Sequence, residues 1–153
     1  MNLVRMLLTV GLSLLMGCSV SLDVTVHDED KAADLARVFL EQIKSEAGMK
    51  VAYDNAHKEL REYEVFEVFF SGISQLLKYN AGSTISIFGY ETMGTNEAIF
   101  VYAKSIVGGS NLYYRFTFIG SKSKGYKLLN FNANSKGYEY KGSYSNYVYP
   151  IGV

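Results

Sequence analysis

The hydrophobic residues of this chain change their spacing once, near Ser83, and that change limits the folds available to it. Upstream of it, apolar side chains recur every three or four residues, as at Leu35, Phe39 and Ile43, which predicts amphipathic helices. Downstream they alternate, as in LYYRFTFI, where every second residue from Leu112 is apolar. Helices followed by strands predict an α+β fold, with two or three N-terminal helices packed on a curved, mainly four-stranded antiparallel sheet.

The boundaries of these elements follow from capping signals and turn residues. The acidic run Asp28–Asp30 predicts the start of a first helix, and Gly48 predicts its end. A short second helix is predicted over 51–60, and a third, strongly patterned helix over 63–79. Four strands follow, STISIFGYET, EAIFVYAKSIV, LYYRFTFI and YKLLNFNA, with glycine-containing turns between the last three. Gly89, inside the first of them, predicts a bulge or bend.

The N-terminus has the pattern of an export signal. A positive residue, Arg5, is followed by an uncharged stretch, and LLMGC places the single cysteine, Cys18, where the most apolar part ends. LLMGC resembles the lipobox of bacterial lipoproteins, which predicts a signal peptide over 1–17 and a lipid anchor on Cys18. Ser19, in place of aspartate, is similar to the outer-membrane sorting signals of enterobacterial-type lipoproteins. That resemblance implies the outer membrane, at its periplasmic face or the cell surface, rather than the inner membrane. An ordinary cleaved signal, a retained membrane helix and a buried core helix are the alternatives.

The rest of the chain divides into a tether over 18–27, a domain over 28–134 and a tyrosine-rich tail over 135–153. One cysteine permits no intrachain disulfide, so the domain must be held together by its core. The 15 basic and 15 acidic residues leave no net charge, which argues against a nucleic-acid partner.

Three segments carry a resemblance to a known family: ARVFLEQIKSEAGMKVAYDNAHKELR, FEVFFSGISQLLKYNAGSTISIFGYET and YYRFTFIGSKSKGYKLLNF. They resemble the cystatin-like superfamily of the nuclear transport factor 2 type, and more narrowly small secreted or lipid-anchored bacterial domains of unknown function. The resemblance covers residues 30 to 134. It implies a cone-shaped pocket between sheet and helices. Some members use this pocket as isomerases or dehydratases, with an Asp or His base and a tyrosine or protonated-acid donor.

Four residues are candidates for lining such a pocket. Gln42 lies on the apolar stripe of the first helix, and Tyr102, Tyr114 and Tyr126 are predicted on the inward face of the strands. The tyrosines either belong to the core or surround an apolar ligand.

Residues typical of catalysis or metal binding are few. Asp54 and His57 lie three residues apart on the predicted second helix, where they form either an acid–base pair or a solvated surface pair. His27 and His57 are the two histidines, and neither has the neighbours of a metal site. The sequence therefore predicts no catalytic residue, no metal and no cofactor.

The tail is rich in tyrosine: Tyr138, Tyr140, Tyr144, Tyr147 and Tyr149. These side chains either pack against the outer face of the sheet or form an adhesive surface for an envelope protein or glycan. The leading hypothesis is a non-catalytic binding module of the cell envelope. The alternative is a carrier of a small apolar ligand in the cone, and an isomerase- or dehydratase-type enzyme is the third.

Overall fold

The computed structural model describes residues 25–94 and 97–153, which form four helices and one open, five-stranded antiparallel sheet. The helices are α1 (Glu29–Gln42), α2 (Glu46–Asn55), α3 (Lys58–Tyr63) and α4 (Phe66–Tyr79). The strands are β1 (Ser86–Thr92), β2 (Ala98–Val107), β3 (Ser110–Ser121), β4 (Gly125–Asn134) and β5 (Ser143–Gly152). The predicted α+β class, with N-terminal helices on a curved sheet, is confirmed and is consistent with a fold of the nuclear transport factor 2 type.

Helix α1 begins where the sequence predicts, because the Asp28 side chain accepts a hydrogen bond from the backbone amide of Lys31. It ends at Gln42, and the prediction that it continues to Gly48 is wrong. Ser45 caps a new helix there by accepting a hydrogen bond from the Gly48 amide. Gly48 therefore lies in the first turn of α2, where a Cβ would come within 2.0 Å of the Gln42 carbonyl oxygen.

The predicted second helix over 51–60 is replaced by two helices, α2 and α3, which meet at Ala56 and His57. Both residues are extended, and the His57 amide donates to the Leu128 carbonyl of β4 at 2.7 Å. The His57 ring then caps α3 by accepting from the Glu59 amide. Helical periodicity could not reveal this break, because its hydrogen-bond partner lies on a distant strand.

Helix α4 begins at Phe66 rather than at the predicted Tyr63, which belongs to the end of α3. The turn between these helices is held by Tyr53, whose hydroxyl donates to the Glu64 carbonyl at 2.7 Å. The Tyr53 ring also packs against Phe66 and Phe69. Tyr53 thus fixes the relative position of α2, α3 and α4.

The strand order is β4–β3–β2–β1–β5, so the last strand lies at the edge opposite its predecessor. Residues 135–142 cross the outer face of the sheet, and β5 then pairs with β1. The tail therefore adds a fifth strand to the four predicted ones. The predicted irregularity at Gly89 is confirmed by a register shift after Ile87, and a Cβ at Gly89 would lie 2.5 Å from the Tyr144 hydroxyl.

The core lies between the helices and the inner face of the sheet. Phe39 occupies its centre and contacts the rings of Phe69, Phe116 and Phe131, with centroids 5.1 to 6.4 Å apart. Phe118 stacks on Phe116. Side chains therefore fill the space between α4 and the centre of β3.

Candidate functional site

An open groove of about 660 Å³ lies between α3, α4 and the edge strand β4, and we call it the α4 groove. Its lining comprises Glu59, Leu60, Tyr63 and Glu64 from α3 and the turn after it, Phe69, Gly72, Ile73 and Leu76 from α4, and residues 129–133 of β4. Its volume falls within the range of about 300–1,000 Å³ typical of small-molecule sites.

The floor of the α4 groove is apolar and its rim is polar. Leu60, Phe69 and Ile73 are buried and form the floor. Glu59 and Tyr63 are exposed at the rim, and Glu64 is half-buried there. An apolar floor with a few polar groups around it is the usual composition of a site for small organic molecules.

The width of the α4 groove depends on Gly72. A Cβ built at this position has no atom within 4 Å, so the missing side chain leaves open space above the helix. The opposite wall is held by Tyr53, which fixes the end of α3 through its bonds to the carbonyls of Arg61 and Glu64. The groove is therefore bounded by regular, tethered elements rather than by a loose loop.

The charges that line the α4 groove are all negative. Glu59 and Glu64 are its charged lining residues, and neither forms a salt bridge with a described residue. Lys58 and Arg61 lie on α3 but do not line the groove. The rim thus carries two carboxylates with no adjacent counter-charge from the lining.

Two of the four predicted pocket residues lie together, but in a different and smaller pocket. Gln42 and Tyr126 line an opening of about 230 Å³ between α1, α2 and the start of β4, next to Phe118. The Tyr126 hydroxyl accepts a hydrogen bond from the Asp28 amide at 2.7 Å, and burial raises its pKa. Tyr126 therefore ties the start of α1 to the sheet.

Tyr114 is a core residue. It is fully buried, and its hydroxyl lies 2.9 Å from the Ser105 hydroxyl, which in turn donates to Asn80. Burial raises the pKa of Tyr114, so the phenol stays protonated within this buried hydrogen-bond chain. Tyr114 lines neither of the two pockets described above.

The predicted inward orientation of Tyr102 is wrong. On β2, Val101 and Ala103 belong to the core, and alternation places Tyr102 on the opposite face, where it pairs with Arg115 of β3. Tyr102 is nevertheless 1% exposed, because the tail covers it. The burial of this outer-face position could not be predicted from the strand pattern alone.

The covered outer face holds a polar cluster beneath the tail. The Glu91 carboxylate accepts hydrogen bonds from the Tyr102 hydroxyl and from the backbone amides of Lys141 and Gly142. The Arg115 guanidinium lies 4.8 Å from the ring centre of Tyr138, and its buried Nε has no hydrogen-bond partner among the described residues. This arrangement attaches the tail to the sheet.

The five tail tyrosines do not form one surface. Tyr138, Tyr140 and Tyr144 pack around Tyr102 on the outer sheet face. Tyr147 instead points towards α1, where its hydroxyl donates to the Glu29 carbonyl at 2.9 Å. Tyr149 is 81% exposed. The structure thus leaves Tyr149 and part of Tyr140 available to a partner.

The candidate acid–base pair on α2 and α3 is not assembled. Asp54 forms a salt bridge with Lys50, whereas the His57 ring caps α3 through Nδ1. Within the ranges 25–94 and 97–153, no three His, Cys, Asp or Glu side chains are grouped so that they could hold a metal ion.

The residues of the α4 groove were not singled out from the sequence. On the third predicted helix, Phe69 and Leu76 widen the apolar stripe, a pattern that predicts burial rather than an opening. The available signal was Gly72 on that stripe, together with the acidic segment ELREYE immediately upstream. The position of β4 opposite α4 cannot be inferred from either segment.

The predicted anchor, Cys18, and the signal segment over 1–17 lie outside the described residues. In the part of the chain that the structure describes, no helix is both long enough and apolar enough to cross a membrane. Comparisons with protein-family models, with curated proteins and with solved structures gave no significant match.

Proposed function

We propose that this protein is a non-catalytic binding module, held at a bacterial cell envelope by a lipid on Cys18, which binds a small ligand with an apolar body in the α4 groove. The observation that carries the proposal is the groove itself, about 660 Å³ in volume with an apolar floor and a polar rim. In this proposal the ligand site lies at the sheet edge, because the centre of the cone is filled by Phe39 and Phe116.

The placement of the carboxylates supports binding rather than catalysis. Enzymes of the isomerase type hold a base and a hydrogen-bond donor in an apolar interior. Glu59 is exposed and Glu64 is half-buried, both at the rim, while the floor of Leu60, Phe69 and Ile73 has no titratable side chain. The groove therefore offers burial and orientation to a ligand without an acid–base pair at the bottom.

The packing of the tail favours the groove over the tail as the binding site. The rings of Tyr138, Tyr140 and Tyr144 contact Tyr102 on the outer sheet face. The Tyr147 hydroxyl donates a hydrogen bond to the Glu29 carbonyl of α1. Most of their ring surface is thus packed within the fold, and Tyr149 and part of Tyr140 stay exposed.

The groove proposal is tested by filling the groove. Gly72→Leu places an alkyl side chain in the open space above α4, and Gly72→Ala is the matched control because one methyl group leaves most of that space free. N-phenyl-1-naphthylamine, a neutral apolar fluorophore, is titrated into each protein. We expect wild type and Gly72→Ala to bind it alike and Gly72→Leu to bind it at least about tenfold more weakly, a difference of ~1.4 kcal/mol. Equal binding by all three proteins would contradict the proposal.

The anchor is tested separately, by mass spectrometry of the mature N-terminal peptide. We expect that peptide to begin at Cys18 and to carry acyl chains. An unmodified Cys18 would overturn the lipid anchor while leaving the groove proposal intact.

One observation favours a second candidate function, recognition of an envelope protein. Strand β5 pairs with β1 at Asn146 and again at Ile151. The β5 residues between these two positions have no regular partner on β1 and form a bulge. Val148 and Tyr149 in this bulge are 86% and 81% exposed. Replacing both by serine should reduce envelope crosslinks if this bulge binds a protein, and should leave the fluorophore titration unchanged.

A further inference from the structure

The ligand class of the α4 groove follows from its charge and its aromatic rim, an inference that rests on the function proposed above. The groove is lined by two carboxylates, Glu59 and Glu64, and by no lysine or arginine. Neither carboxylate is neutralised by a salt bridge within the described chain. An anionic ligand entering the groove would meet this negative rim, whereas a cation would be attracted to it.

The rim also presents an aromatic face beside the carboxylates. Tyr63 is 89% exposed, lies one helical turn after Glu59 on α3 and directly precedes Glu64. Residues four apart on a helix are neighbours, so the Tyr63 ring and the Glu59 carboxylate share one side of α3. A ring face combined with carboxylates is the chemistry that recognises ammonium groups.

An apolar floor lies beyond this rim. Phe69 and Ile73 are buried beneath the opening, and Phe131 of β4 is half-buried opposite them. These side chains suit an alkyl or aryl group of a ligand. They have no polar atom that could hydrogen-bond to a polar group at the buried end of that ligand. The groove therefore combines one site for positive charge with one site for an apolar body.

We propose that the α4 groove binds a small cationic amphiphile, whose ammonium group contacts Glu59, Tyr63 and Glu64 and whose apolar body lies on Phe69 and Ile73. The charge complementarity of the rim argues for this occupant over a neutral or anionic lipid.

Three probes with the same decyl chain and different heads test the proposal: decyltrimethylammonium, decyl maltoside and decanoate. Each is titrated below its micelle concentration as a competitor of N-phenyl-1-naphthylamine, on wild-type protein at low salt. We expect the ammonium probe to bind about tenfold more tightly than the maltoside, which corresponds to ~1.4 kcal/mol, and decanoate to bind most weakly. The preference should shrink as salt is added, because the carboxylates are solvated.

The double variant Glu59→Gln/Glu64→Gln tests whether the rim carboxylates cause the preference for the ammonium probe over the maltoside. We expect its affinity for the ammonium probe to fall to that for the maltoside, while its affinity for the maltoside stays that of wild type. Both positions lie outside the buried core, and circular dichroism and a thermal melt check that the fold is retained.

The outcomes separate the two proposals. Equal binding of the three probes, abolished by Gly72→Leu, would overturn the cationic preference and leave the binding groove standing. A preference for the ammonium probe that survives Glu59→Gln/Glu64→Gln would overturn its assignment to this rim. Binding of no probe, or binding unaffected by Gly72→Leu, would overturn both proposals.

Discussion

The carboxylate of Glu91, which is 2% exposed, accepts the hydroxyl hydrogen of Tyr102 on the neighbouring strand. The same carboxylate accepts hydrogen bonds from the backbone amides of Lys141 and Gly142. Desolvation, reinforced by the hydrogen bond to Glu91, raises the pKa of Tyr102, so its hydroxyl stays a donor. One buried carboxylate thus holds two strands and the crossing segment of the tail together.

Removing this carboxylate should strongly destabilise the fold. Glu91→Ala leaves three donors without their acceptor, and we expect it to lower the free energy of unfolding by about 3 kcal/mol. Tyr102→Phe removes one hydrogen bond to a charged group, and we expect a loss of about 1–2 kcal/mol. Urea denaturation at neutral pH measures both values.

Tyr149→Phe is the control for these variants, because Tyr149 is largely exposed and its hydroxyl forms no hydrogen bond with a described residue. We expect its stability to stay within about 0.5 kcal/mol of wild type. If Glu91→Ala behaved like this control, the hydrogen bonds of Glu91 to the tail would not contribute to stability.

Ending the chain after Asn134 should abolish cooperative unfolding. This truncation deletes β5, leaves β1 as an unpaired edge and exposes Tyr102 on the outer face. We expect the thermal melt of the truncated protein to lose its sharp transition. An unchanged melting temperature would show that the tail is an appendage rather than a structural strand.

The same substitution at two helical glycines should have opposite effects. Gly48→Ala brings a Cβ within 2.0 Å of the Gln42 carbonyl oxygen, and we expect it to destabilise the fold by about 1–3 kcal/mol. The Cβ of Gly72→Ala has no atom within 4 Å. Because alanine has a higher helix propensity than glycine, we expect this substitution to stabilise the protein by about 0.5–1 kcal/mol. Urea midpoints for the two variants test this directly, and equal shifts in the same direction would contradict the different surroundings of the two residues.

Stability should fall above about pH 10. Burial raises the pKa of Tyr144 to about 12, from an ordinary value of 10.0, and burial also raises the pKa of Tyr147. Because the unfolded chain loses these protons first, their contribution is fully present below the unfolded pKa and is lost as pH rises towards the folded pKa. Urea midpoints measured from about pH 8 to about pH 11.5 should therefore decline above pH 10.

Tyr147→Phe gives the matched test of that pH dependence. It removes one titrating hydroxyl, so we expect a shallower decline of stability with pH, together with a small loss at neutral pH from the missing bond to Glu29. If the stability of Tyr147→Phe fell with pH as steeply as that of wild type, groups other than Tyr147 would cause the alkaline sensitivity.

The elements that could be predicted from the sequence are those determined by local pattern. Asp28 caps α1 because its side chain reaches an amide three residues on, and Gly89 marks the bulge in β1. Alternation from Leu112 onward correctly separates the two faces of β3. In each case the deciding contact is near in sequence or follows from the period of the strand.

What could not be predicted depends on contacts between distant segments. The break at His57 requires the Leu128 carbonyl of β4, and the burial of Tyr102 requires a tail that crosses the sheet. The α4 groove likewise exists because β4 lies opposite Gly72, with α3 held by Tyr53. The pattern of apolar residues predicts that α4 is buried, but it does not show which part of its surface a strand leaves uncovered.

The central claim, that this protein binds its ligand in the α4 groove, is tested most directly by mapping a bound probe on the protein. Amide shifts of the isotope-labelled domain are recorded by NMR while decyltrimethylammonium is added. We expect the saturable changes to centre on Tyr63, Gly72 and residues 129–133, and to vanish in Gly72→Leu. Changes centred instead on Tyr149, or equal in wild type and Gly72→Leu, would contradict the central claim.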